Sequence, residues 1–223
     1  MILFLDIETL PTDNADVIAE IAAGISPPGN IKKAESIAEW HKENGQKAIA
    51  EAVAKTSFNG LYGRIACMAW AIDDGEIHAT TAEDSEAFML ETLRLVCNAA
   101  SHSPNVQFCG HNLAGFDLPF IKHRSIIHRV RPHRVLEAAI NAKPWDSCIL
   151  DTMLMWSQDR EKRTSMDSLC RAFGIEGKGD FDGSQVANEW ANGSKEKVIS
   201  YCKDDVERTR KLYKRMTFQS EQA

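Results

Sequence analysis

The sequence predicts an α/β fold: a small central mixed sheet, five-stranded or smaller, flanked by helices and carrying a helical insertion after the first strand. Three observations predict it. The chain opens on an unbroken apolar run, Ile2-Leu3-Phe4-Leu5, which is short and reads as a strand buried on both faces. A second apolar run, RIACMAWAI at 64–72, turns at Asp73-Asp74-Gly75 into a returning strand at 76–81, which makes a hairpin. Beyond Ser147 the chain has helical spacing throughout.

Taken in order, 11–14 is a turn and 15–23 a short helix. SPPGN at 26–30 breaks the chain, and 34–55 is rich in helix formers with Ile37, Trp40, Ile49 and Val53 spaced along it. Residues 15–57 are therefore expected to form a helical insertion. Residues 85–100 place apolar side chains at 88, 89, 90, 93, 96 and 97, as a helix lying on a sheet does. A short strand is expected at 106–109, broken by Gly110, and a helix at 116–127. The remaining helices are expected at 147–156, 165–173, 183–190 and 195–216, with Ser165 and Ser194 as caps. The first strand belongs at the centre of the sheet because it is the most apolar. The chain then reads as a single domain over 1–216, with 217–223 as a flexible tail.

Length and composition are those of a soluble globular domain, with 43% hydrophobic and 26% charged residues. No stretch approaches a membrane span and the N-terminus is no signal peptide, so a cytoplasmic protein is expected. The six cysteines, at 67, 97, 109, 148, 170 and 202, lie scattered in apolar segments without a C-x-x-C pair, which fits reduced buried thiols. The formal net charge is −6, yet KHRSIIHRVRPHR at 122–134 holds five Lys or Arg, three His and no acid. Such a stripe is the footprint a phosphate backbone asks for. It is equally the pattern of a solvated basic helix.

The chemistry-bearing residues begin inside the first strand. Asp6 and Glu8 are two apart, so they point to one side of it. Two carboxylates aimed together at the end of a buried strand repel, and a hard divalent cation bound by oxygen would relieve that. The plain alternative is a pair of solvated acids at a strand end. Asp117 follows a turn bracketed by Gly110 and Gly115 and begins a helix, where it serves either the helix dipole or a pocket among Phe116, Leu118, Phe120 and Ile121. Tyr201 and Asp205 are four apart on the last helix and share a face beside the stripe Val198, Cys202, Val206 and Thr209. A structural tyrosine–aspartate hydrogen bond would account for that pair alone.

Together these residues change the reading. FLDIET resembles the first motif of the DEDD superfamily of 3′–5′ exonucleases, GHNLAGFD the second and YCKDDVERT the third. Position 200 is Ser where the histidine form of the third motif needs His, while Tyr201 suits the tyrosine form, so the chain is similar to the DEDDy branch. Within it, the chain most resembles stand-alone domains related to the exonuclease of family B DNA polymerases. Asp151-Thr152, the stretch Ser165-Met166-Asp167-Ser168-Leu169 and the segment 178–186 support this. The resemblance spans about 1–10 and 60–216 and leaves out the insertion.

The resemblance implies a ribonuclease-H-like fold and removal of nucleoside 5′-monophosphates from the 3′ end of single-stranded DNA by two-metal hydrolysis, with Mg²⁺ or Mn²⁺ as the two ions. It implies that Asp6 bridges both ions, Glu8 and Asp205 complete the first site, Asp117 holds the second and Tyr201 orients the attacking water. Substrate contacts are expected from Thr9, Leu10, His111, Asn112 and Phe116, and a phosphate track from Lys122 and Arg124, with Arg129 and Arg131. A polymerase or a repair or replication protein is an expected partner. Three other readings stand beside this one. An aspartyl phosphatase is disfavoured because its Asp-x-Asp would need Asp where Glu8 stands. An exoribonuclease of the same fold, or a silent nucleic-acid-binding module, differs by substrate or by loss of activity. His111, His123, His128 and His133 have no standard zinc spacing.

Overall fold

A computed structural model describes residues 1–81, 85–157, 163–177 and 179–219. Its centre is a five-stranded sheet in the order β3-β2-β1-β4-β5, formed by β1 (Ile2–Leu10), β2 (Arg64–Ile72), β3 (His78–Thr81), β4 (Gln107–Gly110) and β5 (Ile149–Asp151). β1 is the middle strand, as its composition predicts. β4 pairs parallel to β1, with Leu3 opposite Phe108, and β5 parallel to β4, with Gly110 opposite Asp151. β3 returns antiparallel on β2, with Cys67 opposite Thr81, so the sheet is mixed. The parallel neighbours need helical crossovers, supplied by α3 (Glu86–Ala100) before β4 and by α4 (Asp117–His128) and α5 (Arg134–Asn141) before β5.

Strand alternation gives β1 two distinct faces. Leu3, Leu5 and Ile7 enter a core with Ile65 and Met68 of β2, Met89, Leu90 and Leu93 of α3, Leu118 and Ile121 of α4 and Leu136 of α5. On the other face Phe4 meets the ring of Tyr213 edge-on at 6.0 Å. Tyr213 belongs to α9 (Lys195–Met216), whose buried residues 198, 201, 202, 205, 206, 209, 212 and 213 recur every three or four positions. That is the stripe a helix needs to lie flat on a sheet. α6 (Thr152–Ser157), α7 (Met166–Phe173) and α8 (Val186–Ala191) precede it, and α7 forms a second small core with Leu212 through Met166, Leu169 and Cys170.

The chain divides into two compact units, one of residues 1–8 with 65–223 and one of Thr9–Arg64. The second holds α1 (Ala15–Gly24), capped by the Asn14 side chain, and α2 (Ala34–Ala54) with a short 3₁₀ turn at Lys55–Phe58. Its ends are tied to one another: the Thr12 amide donates to Thr56 Oγ1 at 2.8 Å, and Arg64 pairs with Asp13 at 2.7 Å.

Three expectations are corrected. The helix expected at 147–156 starts only at Thr152, because Ile149–Asp151 is drawn into the sheet by pairing with β4. A three-residue apolar strand running into a helix has no period of its own, so only its partner strand identifies it. α5 covers Arg134–Asn141, a stretch for which the sequence gives no element. It is eight residues long, begins on Arg134 against the helix dipole and is capped by His133, so it lacks the usual start signals. The third strand begins at His78, two residues late. All six cysteines are free thiols, five of them buried. Of the expected tail, 220–223 lie outside the described residues, as do Lys178 and 158–162. No helix among the described residues is long and apolar enough to cross a membrane.

A buried ion pair is absent from the sequence reading. Glu86 on α3 accepts from Arg124 Nε at 2.8 Å and Nη2 at 2.7 Å, from the Ile65 amide at 2.9 Å and meets His128 Nε2 at 2.7 Å. One carboxylate thus joins β2, α3 and α4. Burial pushes its pKa up, but the Arg124 and Ile65 hydrogen bonds outweigh that and hold it below the usual carboxylate value.

Candidate metal centre and active site

The even-numbered face of β1 carries Asp6 and Glu8 to the C-terminal end of the strand, where α9 crosses with Asp205. Carboxylate oxygens of Asp6, Glu8 and Asp205 all lie within 4.8 Å of one another. Asp6 and Glu8 are half-buried and Asp205 is buried. Three like charges this close in a low-dielectric setting repel strongly. Oxygen-only donors at this spacing fit a hard divalent cation such as Mg²⁺ or Mn²⁺ rather than a soft metal. Part of the charge is met by Arg208 Nη1, 2.8 Å from Asp205 Oδ1, while Arg208 Nη2 donates to the Gly177 carbonyl at 3.0 Å.

Asp117, the first residue of α4, stands beside this group rather than in it. Its Oδ1 accepts from the Ile7 amide at 3.2 Å, which places it at β1 between the two acids in sequence. It is buried, and burial first, then the charge of Asp6, push its pKa well above the ordinary 3.8. A bound cation would reverse the second of these causes.

Tyr201 lies one turn before Asp205 and is 5% exposed, with the Phe181 ring edge-on at 4.7 Å. Its neighbour Cys202 has a role not read from the sequence. The thiol donates to Asp6 Oδ2 at 3.4 Å and to the Asp6 carbonyl at 3.5 Å. Burial, then Cys67 and the acids, push its pKa far up, so it remains a donor. Arg208 and Cys202 fall within the third motif, but only the packing of α9 on β1 shows what they touch.

The expected substrate residues part company. Asn112 sits in the left-handed region at φ 63, its amide donating to Asp151 Oδ1 at 3.0 Å. Phe116 is half-buried with its ring 5.6 Å from Phe120. His111 is engaged on both nitrogens, Nδ1 with Thr152 Oγ1 at 2.9 Å and Nε2 with the Thr164 carbonyl at 3.1 Å. In the second unit, the Thr9 hydroxyl donates to the Ser57 carbonyl at 2.7 Å, and Leu10 is 3% exposed, too enclosed to stack on a base. Arg124 is spent on Glu86 and is 7% exposed, so it has no face for a phosphate. Lys122 is exposed and bonds Asn141 Oδ1 at 3.2 Å. With Arg129 and Arg131 it lines an open groove of about 450 Å³ floored by Ile126, Val130 and Ile140. The basic stripe is therefore split: α4 and the segment that follows it carry its cations to different surroundings. The histidines of the stripe join no metal-ligating group among the described residues.

A smaller cavity of about 180 Å³ adjoins the Asn112 loop, lined by Asn112, Gly115, Asp151, Leu154 and Arg163 among others. It offers a cation, amide groups and apolar wall in one place.

The comparisons accord with this geometry. The family model for predicted 3′–5′ exonucleases related to the exonuclease domain of PolB matches residues 62–222. That span holds Asp117, Tyr201 and Asp205 and begins after Asp6 and Glu8. No curated protein matches the chain. Among solved structures, the family B DNA polymerase of the hyperthermophilic archaeon Pyrobaculum calidifontis is similar, with a TM-score of 0.59 and 15% identity over 97% of this chain. The chain covers 24% of that polymerase's length, and a likeness at this identity establishes the ribonuclease-H-like fold.

Proposed function

Because the chain belongs to the family of predicted 3′–5′ exonucleases related to the exonuclease domain of PolB, we propose that it removes nucleoside 5′-monophosphates from the 3′ end of single-stranded DNA by divalent-metal-dependent hydrolysis. The observation that carries the reading is the convergence of Asp6, Glu8 and Asp205 oxygens within 4.8 Å.

Asp6, Glu8 and Asp205 would hold one cation, and Asp6 with Asp117 a second. Divalent cations bound there supply activation of water and stabilisation of the charge that develops on the scissile phosphate. The chain's own residues do the rest. Cys202 holds the Asp6 carboxylate in orientation through its S–H, and Arg208 holds Asp205 through its Nη1. Tyr201 orients the attacking water. Its ordinary pKa near 10 makes it a poor base, and positioning is its role. The oxygen of water joins phosphorus, the P–O3′ bond of the last phosphodiester breaks, and the proton passes to the departing O3′. Asn112 and Phe116 would meet the terminal nucleotides, base stacking on an aromatic ring being worth about 1–3 kcal/mol. The cavity lined by Asn112 and Arg163 would receive the next part of the strand. A replication or repair protein is the partner class such an activity serves.

The test is a gel assay on 5′-labelled single-stranded DNA and RNA of one sequence, with Mg²⁺, Mn²⁺ or EDTA. A ladder shortening from the 3′ end on DNA, absent in EDTA and in Asp6→Ala, is the expected result. Faster degradation of RNA would make the chain an exoribonuclease. Intact strands from folded protein in both metals would leave a nucleic-acid-binding module.

A further inference from the structure

Asp151 ends β5, a strand that carries none of the five residues assigned above. Asp151 is 2% exposed. Its charge helps to raise the pKa of Asp117, and four backbone N–H groups donate to its oxygens. Oδ1 accepts from Asn112 and Met153 at 3.0 Å each and from Leu154 at 3.4 Å, while Oδ2 accepts from Ala114 at 3.0 Å. Two of these donors open α6. The other two lie in the loop that leaves β4 and delivers Asp117.

That loop turns at Asn112, whose φ of 63 lies in the left-handed region that asparagine adopts more readily than other non-glycine residues. A Cβ on Gly115 would come within 2.5 Å of Asn112 Oδ1, so the Asn112 side chain is folded back over Gly115. From the pivot at Asn112 the hydrogen bonds run forward: Gly115 and Phe116 amides donate to the Asn112 carbonyl at 3.0 and 2.9 Å, and the Leu118 amide to Leu113 at 3.1 Å. Asp117 lies between those last two donors. Its carboxylate reaches the Ile7 amide, between Asp6 and Glu8. On the other side of the loop, Thr152 Oγ1 meets the Gly110 carbonyl at 3.2 Å.

We propose that Asp151 is a positioning residue for the exonuclease reaction: its carboxylate clamps the loop 112–114 to β5, and the clamp sets Asn112 and Asp117 in place against β1. The inference rests on the function proposed above. The chemistry explains why the residue is an acid. A carboxylate is acceptor-only, with room for four donors on two oxygens. Asparagine has the same shape but one acceptor. In Asp151→Asn the amide NH₂ must face either the Ala114 amide or the donors on Oδ1. Keeping its oxygen on Met153 and Leu154 preserves the α6 cap and releases Ala114.

The experiment compares the wild-type chain with Asp151→Asn and, as a stability control, Leu93→Ala in the core under α3. Steady-state cleavage of a labelled ten-nucleotide thymidine strand is measured in Mg²⁺ at 25 °C, with melting temperatures in the presence and absence of Mn²⁺. Misplacing a catalytic group by a fraction of an ångström is expected to lower kcat about tenfold or more while KM moves less than about threefold. Leu93→Ala, though less stable, keeps kcat within about twofold of wild type, since it leaves all four amide bonds to Asp151 in place. Wild-type kcat in Asp151→Asn, or an equal loss in Leu93→Ala, would overturn the proposal. A wild-type chain that cleaves neither DNA nor RNA would instead sink the function itself. Hydrogen exchange then still tests the clamp, because the Ala114 amide, the donor on Oδ2, should exchange about tenfold faster in Asp151→Asn. Unchanged exchange overturns it.

Discussion

Asp6 shows how one side chain answers to several elements at once. Its backbone belongs to the central strand, its carboxylate faces Glu8 and Asp205, and its Oδ2 takes the thiol proton of Cys202. Asp6→Asn removes one of three crowded charges. It should leave the metal-free protein at least as stable as wild type, abolish the rise in melting temperature with Mn²⁺, and lower hydrolysis by about three orders of magnitude or more, the scale on which removal of a catalytic group acts. Scanning calorimetry and the gel assay read the two effects separately. Cys202→Ala keeps the charges but loses the orienting donor, and outer-shell partners of this kind are worth about 10–100-fold in metal affinity. A Mn²⁺ titration by calorimetry checks it. Asp117 gives a pH signature. Its pKa is raised by burial and by Asp6, so the folded chain holds a proton that the unfolded chain releases above 3.8. Stability of the metal-free protein therefore falls with rising pH through the window between 3.8 and the raised value, where Asp117→Asn, having no proton to lose, does not follow. Urea unfolding of both chains across pH 4 to 8 measures the difference, and parallel curves would refute it.

At the scale of elements, the site depends on two surfaces meeting: the even-numbered face of β1 and the buried stripe of α9. Neither acid group is complete until the helix lies on the strand. The opposite side of the sheet is held by the Glu86–Arg124–His128 cluster between α3 and α4. Removing one partner of a buried pair leaves an uncompensated charge, and Glu86→Ala should cost about 3–5 kcal/mol by urea unfolding. Cleavage at 25 °C should persist in whatever fraction remains folded, because the pair touches none of the acids. The Thr9–Arg64 unit invites a different probe. Lys32 and Lys33 stand exposed in the link between α1 and α2, and such links are where proteases cut first. Brief trypsin treatment should nick there before any cut appears in α9, and peptide mass spectrometry would locate the site.

For the whole molecule, the chemistry lies where the topology would put it. β1 sits between β2 on one side and the parallel pair β4 and β5 on the other, and Asp6, Glu8, the Asn112 loop and Asp151 all lie toward the C-terminal ends of those parallel strands. Open sheets bind ligands at such ends, at the strand where the order reverses. A cation bound only by the folded chain stabilises all of it: at about 100 times the dissociation constant the gain is about 2.7 kcal/mol. For a chain of this size that corresponds to a rise of about 5–10 °C in melting temperature. Mg²⁺ or Mn²⁺ should produce it and EDTA remove it. No shift with either metal would count against the centre.

The residues of the site were legible because their chemistry is local. Asp6 and Glu8 alternate on a strand visible from its apolar run, and Tyr201 and Asp205 recur at helical spacing, so residue types and periods alone brought the motifs forward. Strands β1 and β2 and helices α2 and α9 could be read for the same reason, each having a period long enough to stand by itself. Three things could not be read. β5 is three residues long and becomes a strand only by pairing with β4. Arg124 sits in a basic run, yet it faces a carboxylate thirty-eight residues earlier in the chain and is lost to any phosphate. Asp151 is one acid among many until four amides from two segments close on it. Local order along the chain determined which groups could do chemistry and on which elements they stand. Tertiary structure decided which of them meet, because hydrogen bonds, ion pairs and strand pairing join residues by distance in space, for which sequence separation carries no measure.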